Sequence, residues 1–396
     1  IVGEDVHETG LIWDQGDGDL KAWPLPGTLV PLHNTTPPRA EVLMGLYELD
    51  GRPMTSDPRH ALARQQAALA AEGHFPAAAF ELEFFLLDPK RDAQGQVRPA
   101  AAVLDGRISG KTEVYSVDHL HGMVPLFSDI YKGAELAGIT AETMISEYAP
   151  GQYELTLHHR SDIMQAADDL VRLKRIVRAQ ARRHGVVACF MAKPLAEYAG
   201  SGMHLHISLC NDEGHNMLAE EPDQGWNDML RHAIGGQLAT MAQSMLVFAP
   251  HANSWRRFAN QSYAPVAPTW GVNNRSVAVR IPAGARSARR IEHRLSGVDA
   301  IPYLVAATVL AAMRKGICEQ IDPGPETTGN GYDAETTNTI PSDWNAAIAA
   351  AKASGFLKEA LGEEMHRTFV AVKAAEYARV ARTISDVDYD LYLHTI

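Results

Sequence analysis

The chain has 396 residues, of which 46% are hydrophobic and 21% charged, and its formal net charge is −12. This charge excludes the basic surface that nucleic-acid binding requires. No apolar run approaches the roughly 18 residues that a membrane-spanning helix needs. The three cysteines have no paired spacing, which favours a reducing, cytoplasmic location without a disulfide framework.

The first part of the chain predicts loops and short strands before the first helix. Residues 1–56 are rich in Pro and Gly, which are typical of turns. Asp57 and Pro58 then open a predicted helix that runs to about Ala71, because Asp is a favourable N-cap and Pro fits the first helical position. Next come a predicted strand at 79–87, a long loop at 89–116, a helix at 118–137 and strands at 140–147 and 152–158.

The second part of the chain continues this mixture of strands and helices. Ser161 is the predicted N-cap of a helix from Asp162 to His184, which Gly185 ends. Strands without regular alternation with helices predict an α+β fold with an antiparallel sheet. The remaining predicted elements are strands at 186–191, 203–209, 275–281 and 289–295, helices near 225–247 and 299–316, and a helical C-terminal region with a Gly/Thr/Asn-rich link at 323–340.

Acids and imidazoles occur at every second position of several predicted strands, which places them on one face. Each such face alone also fits a solvated amphipathic strand. Together, however, they form a charged surface that requires neutralisation, and six such ligands suit two hard divalent cations such as Mg²⁺ or Mn²⁺. The six candidate metal ligands are Glu81, Glu83, Glu147, Glu154, His204 and Glu292.

Arginines are interleaved with these acids. They would repel one another unless a polyanion lay among them, and the guanidinium fork matches phosphate and carboxylate in bidentate geometry. Two cations beside this cluster indicate phosphoryl transfer from a nucleotide. Gly106 to Thr112 is one residue short of a Walker loop, so arginines and metals would have to hold the nucleotide. The cluster consists of Arg275, Arg280, Arg290 and Arg294, with Arg256 and Arg257 nearby.

Three ordered motifs resemble the glutamine synthetase superfamily. They are E-x-x-P-G-Q-x-E at 147–154, the segment 193–208 with its Gly-Ser-Gly-Met-His-Leu-His run, and the arginine-containing segments 274–282 and 290–294. The resemblance covers the chain from about residue 5 onward. It implies a funnel-shaped antiparallel barrel with a metal pair at its waist, and a two-ring homododecamer with active sites shared between subunits. It also implies that residues 1–20 are the tail of a mostly missing N-terminal β-grasp domain and that 21–396 form the catalytic domain.

The resemblance further implies a role for each candidate residue, with ATP as the nucleotide and two or three Mg²⁺ or Mn²⁺ ions. Arg275 would stabilise the transferring phosphoryl group. The metal nearer the amino acid would be held by Glu83, Glu147 and Glu154, and the metal nearer the ATP phosphates by Glu81, His204 and Glu292. The residues implied to contact ATP are His206, Ser208, Arg280 and Arg290. Those implied to bind glutamate are Arg257 and Arg294, with Gly200 contributing its backbone.

The segment that follows Arg257 departs from the ammonia-using members of the superfamily. Their flap glutamate lies six residues after the glutamate-binding arginine, and here that position is Tyr263. The surrounding residues resemble the branch that joins glutamate to amines, which contains γ-glutamylputrescine and γ-glutamylpolyamine synthetases. An aromatic ring can pack on the methylene groups of an alkylamine or beside a cation. The alternative is that Tyr263 is an ordinary loop residue and another acid replaces the flap glutamate.

Two further positions differ from or only loosely match the superfamily pattern. A second acid near the acceptor is expected from the neighbouring subunit, and spacing places Asp5 there, with Glu8 an equal candidate. Ile301 stands where the superfamily usually has Asn, at a helix start, and this difference has no functional account.

The sequence therefore predicts an ATP-dependent carbon–nitrogen ligase, with Arg275, Tyr263 and Asp5 as catalytic residues. It would form a γ-glutamylamide from glutamate and a primary amine through γ-glutamyl phosphate, and which amine it uses is open. One alternative is a true glutamine synthetase that uses ammonium. Another is a non-catalytic homologue, which predicts broken metal ligands. A zinc hydrolase built on His204 and His206 is the third, and it leaves the arginines unexplained.

Overall fold

A computed structural model of the protein describes residues 5–11, 16, 18–108, 110–219, 226–259, 262–334, 336 and 339–394. Parts of the predicted tail, residues 1–4, 12–15 and 17, lie outside these ranges. In the described ranges, no helix combines the length and the apolar character needed to cross a membrane. The helices are α1 (Pro58–Ala71), α2 (Val117–Gly122), α3 (Val124–Leu136), α4 (Ile163–Arg183), α5 (Asp228–Phe248), α6 (Ala252–Trp255), α7 (Pro302–Glu319), α8 (Trp344–Ala353), α9 (Gly355–Leu361), α10 (Glu363–Arg382) and α11 (Asp386–Tyr392). The strands are β1 (Lys21–Pro24), β2 (Val30–Pro31), β3 (Ala40–Glu41), β4 (Met44–Tyr47), β5 (Phe75–Leu87), β6 (Ala141–Ser146), β7 (Gln152–Leu157), β8 (Val187–Cys189), β9 (Met203–Cys210), β10 (Trp270–Val272), β11 (Val279–Ile281) and β12 (Ile291–His293).

Local sequence signals account for the ends of several helices. Asp57 caps α1 as predicted, because its carboxylate accepts a hydrogen bond from the backbone N–H of Arg59 at 2.8 Å. The prediction of Ser161 as the cap of α4 is wrong, because Asp162 accepts instead from the backbone N–H of Met164 at 2.9 Å. The predicted helix 118–137 is two helices, since Pro125 near the start of α3 lacks the N–H that would continue the hydrogen bonding of α2.

One large sheet organises the described part of the chain, and the predicted combination of helices with a large sheet is confirmed. Its strands run in the order β10-β11-β12-β9-β5-β7-β6, with β8 also paired to β5. The long strand β5 pairs antiparallel with β7 on one side and β9 on the other. The pair β10–β11 is parallel, so the antiparallel prediction is wrong there. The described strands form an open sheet, and the predicted funnel-shaped barrel is not confirmed.

The predicted strand 275–281 is shorter than expected. The Asn274 side chain accepts hydrogen bonds from both the backbone N–H and the hydroxyl of Ser276, at 3.0 and 2.6 Å. This Asx turn bends the chain and delays the start of the strand to Val279. The chain around Ser276 is therefore held by hydrogen bonds to the Asn274 side chain rather than by strand pairing.

The two faces of β5 differ as the alternation of its residues predicts. Phe80, Leu82 and Phe84 on one face are fully buried in the main core, against which α4 packs. Glu81 and Glu83 point from the opposite face. The apolar face thus fixes the strand, and the strand in turn fixes where its two carboxylates lie.

Helices α5 and α7 cross at backbone contact distance. A Cβ atom on Gly236 would lie 2.0 Å from the carbonyl oxygen of Ala312, and one on Gly316 would lie 2.0 Å from that of His232. Glycine is required at both positions because any side chain would overlap the facing backbone. The close crossing packs α7 into the core behind the sheet.

We expect Gly236→Ala to lower the free energy of unfolding by about 1–3 kcal/mol or more, because the added methyl group forces the two helices apart. The matched control is Gly355→Ala, a helical glycine whose Cβ would meet no atom within 4 Å. That variant should be neutral or more stable by up to about 1 kcal/mol. Urea denaturation followed by circular dichroism measures both, and equal transition midpoints would contradict the close crossing.

Candidate active site

Neighbouring strands of the sheet bring the predicted acids and imidazoles together on one face. Glu83 and Glu154 come from the antiparallel neighbours β5 and β7. The backbone register places Glu81 beside His204, Glu83 beside Glu154, and Glu292 beside His206. The residues that alternation predicted on separate strands therefore form one cluster.

Glu81 is the acceptor for two imidazoles. Its carboxylate oxygens lie 2.8 Å from Nδ1 of His204 and 2.7 Å from Nε2 of His206. Nε of Arg290 donates to Nδ1 of His206 at 3.1 Å, so a neutral His206 donates from Nε2 to Glu81. Burial opposes ionisation of Glu81, but the two imidazole hydrogen bonds outweigh it and hold its pKa well below the ordinary value.

Glu292 is buried between two guanidinium groups. Nη1 of Arg280 donates to it at 2.7 Å, and Nη1 of Arg294 donates to its other oxygen. Burial alone would raise its pKa, but the charges of Arg294 and of the nearby imidazoles lower that pKa to about 2. Glu292 is therefore ionised throughout the neutral pH range.

Glu147 and Glu154 have the opposite electrostatics. Burial, followed by the charge of Glu83, raises the pKa of Glu147 to about 7. Burial, followed by the charges of Glu81 and Glu83, raises the pKa of Glu154 to about 10. Four carboxylates thus lie close enough to oppose one another's ionisation, and a cation among them would favour their charged forms.

Gln152 connects this cluster to a glycine segment, and sequence analysis missed it. Its Nε2 donates to the carbonyl of Gly200 at 3.0 Å and lies 3.4 Å from Glu83, which also accepts from the backbone N–H of Gly202 at 2.7 Å. A Cβ on Gly200 would lie 2.8 Å from Cγ of Arg257. Gln152 shares a strand face with Glu154, which was the available signal for it.

Two cavities meet at the Glu81 side chain, which lines both. The larger, of about 550 Å³, also contains His206, Ser208 and Arg290. The smaller, of about 150 Å³, has an acidic wall and a basic one. Its acidic wall carries Glu81, Glu83, Glu147 and Glu154, and its basic wall carries Arg257, Arg275 and Arg294.

The arginines of the cluster differ in how they are held. Backbone carbonyls of Leu295 and Arg294 accept from the buried Arg257 at 2.7 and 3.2 Å, and burial lowers the pKa of that guanidinium. Nε of Arg294 and Nε of Arg280 are buried without a hydrogen-bond partner among the described residues. Arg275 is exposed at the edge of the smaller cavity. Unpartnered buried donors of this kind match an anionic ligand.

Tyr263, the residue at the predicted flap position, lies at the same cavity. Its backbone is left-handed, with a φ of 58°. Its ring centroid is 5.3 Å from that of Tyr148, and the two hydroxyl oxygens are 3.4 Å apart. Tyr148 was not predicted, although it directly follows Glu147 in the sequence.

Asp5 is the predicted site residue that the fold does not bring to this cluster. It is exposed, it precedes the short 3₁₀ turn His7–Thr9 that packs against α10, and it lines neither cavity. Glu8 is exposed on the same turn. Ile301 lies at the N-cap position of α7, where its side chain makes no cap hydrogen bond, so its effect is on a helix start.

Comparison with known proteins agrees with this geometry. The family profile of the glutamine synthetase catalytic domain matches residues 55–392. The chain belongs to the glutamine synthetase family. The family resemblance predicted from the motifs is therefore confirmed.

Individual relatives of this glutamine synthetase family member cover nearly its whole length. It is 36% identical to gamma-glutamylputrescine synthetase PuuA of Escherichia coli strain K12, over 99% of this chain and 83% of that protein. It is 31% identical to glutamate–isopropylamine ligase of a Pseudomonas species, over 88% of this chain and 74% of that protein. A solved structure of a GmaS–ADP complex has a TM-score of 0.86 and 28% identity, over 96% of this chain and 86% of the other.

The donor set fits the divalent metals that the glutamine synthetase family implies. Among the described residues, two groups have ligand atoms that all lie within 4.8 Å of one another. They are Glu81, His206 and Glu292, and Glu81, Glu154 and His204. Carboxylates with one imidazole suit Mg²⁺ or Mn²⁺. The grouping differs from the sequence-based assignment in two ways. His206, assigned to ATP, lies with the metal candidates, and Glu154 lies with Glu81 and His204 rather than with Glu83 and Glu147.

We expect Glu154 to make a contribution to the stability of the metal-free protein that falls as pH rises, because folded Glu154 keeps a proton that its unfolded form releases above a pKa of 4.5. The free energy of unfolding should fall by about 1.4 kcal/mol per pH unit from this group alone, up to its folded pKa of about 10. Glu154→Gln should remove that slope between pH 7 and 9, as urea midpoints in the presence of a chelator would report. Glu359→Gln, at an exposed site, is the control, and an unchanged slope in Glu154→Gln would refute the expectation.

Proposed function

We propose that the protein is an ATP-dependent carbon–nitrogen ligase that joins glutamate to a primary amine and forms a γ-glutamylamide, ADP and phosphate. The observation that carries the proposal is the smaller cavity, where a tyrosine pair, rather than a carboxylate from the flap, lies beside the acids. The relatives named for glutamate–amine ligation support the same chemistry.

Glutamate binds against the basic wall of the smaller cavity. Arg257 and Arg294 bind its carboxylates, and Gly200 contributes its backbone where a side chain would not fit. The buried setting of both arginines strengthens these ion pairs because little water screens them. The γ-carboxylate then lies between the acids of the sheet and Arg275.

ATP occupies the larger cavity, with its phosphates toward Glu81. His206, Ser208 and Arg290 line this cavity, and Arg280 lies behind Glu292. Two or three Mg²⁺ or Mn²⁺ ions, when bound, neutralise phosphate charge and orient the reacting groups. The residues that would hold them are Glu81, Glu83, Glu147, Glu154, His204 and Glu292.

Phosphoryl transfer joins the two cavities. The γ-carboxylate of glutamate attacks the γ-phosphate of ATP and gives γ-glutamyl phosphate, with ADP as the leaving group, while Arg275 stabilises the charge that develops on the transferring group. A neutral amine then displaces phosphate, and Tyr263 covers the acceptor position. The proton released by the amine passes to a nearby acid or to phosphate, and Asp5 of a neighbouring subunit is the candidate acid.

We expect phosphate release from ATP and glutamate to be at least about tenfold faster with the best primary amine than with ammonium, a difference of about 1.4 kcal/mol in transition-state stabilisation. The assay compares ammonium with a panel of monoamines, diamines and aromatic amines in the presence of Mg²⁺. A chelator should abolish release, and Arg275→Ala should lower kcat about 10²- to 10³-fold. Release with ammonium but with no amine would identify a glutamine synthetase instead, and Tyr263→Glu would then improve ammonium use little.

We also propose a homo-oligomer, a dodecamer with active sites shared between subunits and with 21–396 as the catalytic domain. The described sheet is open at β6 and β10, so strands of a neighbour would complete the funnel expected of the family. Large apolar side chains are exposed around the antiparallel strand pair β1–β4, which favours burial of this strand pair by a second copy. They are Leu20, Trp23, Leu29, Met44, Leu46 and Leu49.

Size-exclusion chromatography with light scattering tests the assembly. We expect the mass of a dodecamer for the unmodified protein and smaller species for Trp23→Asp, because a charge in a buried contact is costly. Leu104→Asp, which changes an exposed apolar residue of a loop outside this strand pair, is the control and should leave the mass unchanged. A monomeric unmodified protein would contradict the proposal.

A further inference from the structure

The outer side of the smaller cavity carries a pair of exposed tyrosines. Tyr148 is 41% exposed and Tyr263 is 49% exposed, yet their rings are packed together at 5.3 Å with an interplanar angle of 34°. Both line the cavity that holds Glu83 and Glu147, which are less exposed. The rings therefore form the outer part of the cavity wall and the carboxylates form its inner part.

The surrounding chain holds this pair in place. Tyr263 has a left-handed backbone, a conformation that non-glycine residues adopt only where neighbours impose it. The hydroxyl of Tyr332 donates to the carbonyl of the adjacent Ala264 at 3.2 Å, and the Ser262 hydroxyl oxygen accepts from the backbone N–H of Ala264 at 3.3 Å. Tyr148 is fixed by its position next to Glu147 at the end of β6.

The inner wall of the cavity is charged and its outer wall is largely uncharged, so the two ends of an amine meet different surroundings. Apart from the carboxylates, the arginines and His204, the described lining of this cavity consists of uncharged residues, which include Tyr115, Ser262 and Ala264. To react, an amino group must reach the γ-carboxyl group of the glutamate bound on the inner side of the cavity, so that a carbon chain behind it meets the ring faces. Ammonium and methylamine place little or nothing against the rings.

We infer that Tyr148 and Tyr263 form the acceptor-amine subsite and select primary amines that carry an alkyl chain of several methylene groups. The inference rests on the proposed function and names the class of its second substrate. Each methylene group that leaves water for the ring faces increases kcat/KM about fourfold, the factor that corresponds to burial of one CH₂ group. The free end of the chain is either a methyl group or a second amino group. In both cases the methylene groups pack against the rings in the same way.

The test measures kcat/KM for methylamine, ethylamine, propylamine and butylamine at saturating glutamate and ATP. We expect a rise of about fourfold per methylene group in the unmodified protein. Tyr148→Ala and Tyr263→Ala should flatten the series while KM for glutamate and ATP stays unchanged. Tyr148→Phe and Tyr263→Phe keep the ring faces and should keep the rise. Tyr389→Ala, at an exposed tyrosine of α11, is the matched control and should behave as the unmodified protein.

The results of this test distinguish a failure of the subsite from a failure of the proposed function. Turnover with amines that does not depend on chain length, or a rise that survives both alanine variants, overturns the subsite and leaves the ligase intact. No turnover with any amine overturns the ligase and the subsite together. Butylamine and butane-1,4-diamine distinguish the two kinds of chain end. Both should exceed methylamine, and failure of both to do so would refute the inference.

Discussion

The mutual repulsion of acids on one face of a sheet is the constraint on which the rest of the site depends. Imidazoles and guanidinium groups keep Glu81 and Glu292 ionised, while burial and neighbouring charge push Glu147 and Glu154 toward their protonated forms. Such a cluster persists because the opposite face of the sheet is fixed by a large hydrophobic core. The fold thus supplies the rigidity that holds like charges together until a cation neutralises them.

Much of this arrangement could be predicted because its signals are local. The period-two alternation of β5 assigns Glu81 and Glu83 to one face, and the same reasoning finds His204 on β9. The contact between His206 and Arg290, 84 positions apart, depends on register between strands and could not be read from either segment. The parallel pairing of β10 with β11 is non-local in the same way, since spacing within one strand carries no information about its neighbour.

Other residues were noticeable in the sequence, but their role depends on a contact that the sequence does not show. Gly236 looks like an ordinary helical glycine in the sequence, and only the fold shows that Ala312 lies against it. Ser161 and Asp162 both suit a helix cap, and only the backbone direction decides between them. Tyr148 and Tyr263 come from segments more than a hundred residues apart, so their pairing needed the folded chain. In each case the residue type could be interpreted from the sequence, whereas the residue that it contacts could not be predicted.

The left-handed backbone at Tyr263 has a consequence for how such a loop changes over evolutionary time. The conformational cost of a positive φ is nearly the same for tyrosine, glutamate and other residues that are not β-branched, apart from glycine, asparagine, aspartate and histidine. Exchanging one of these side chains for another therefore alters what the loop presents to the cavity while leaving the energy of its backbone almost untouched. Residue 263 can therefore be substituted during evolution to change the chemistry of the cavity without a change in the backbone of the loop.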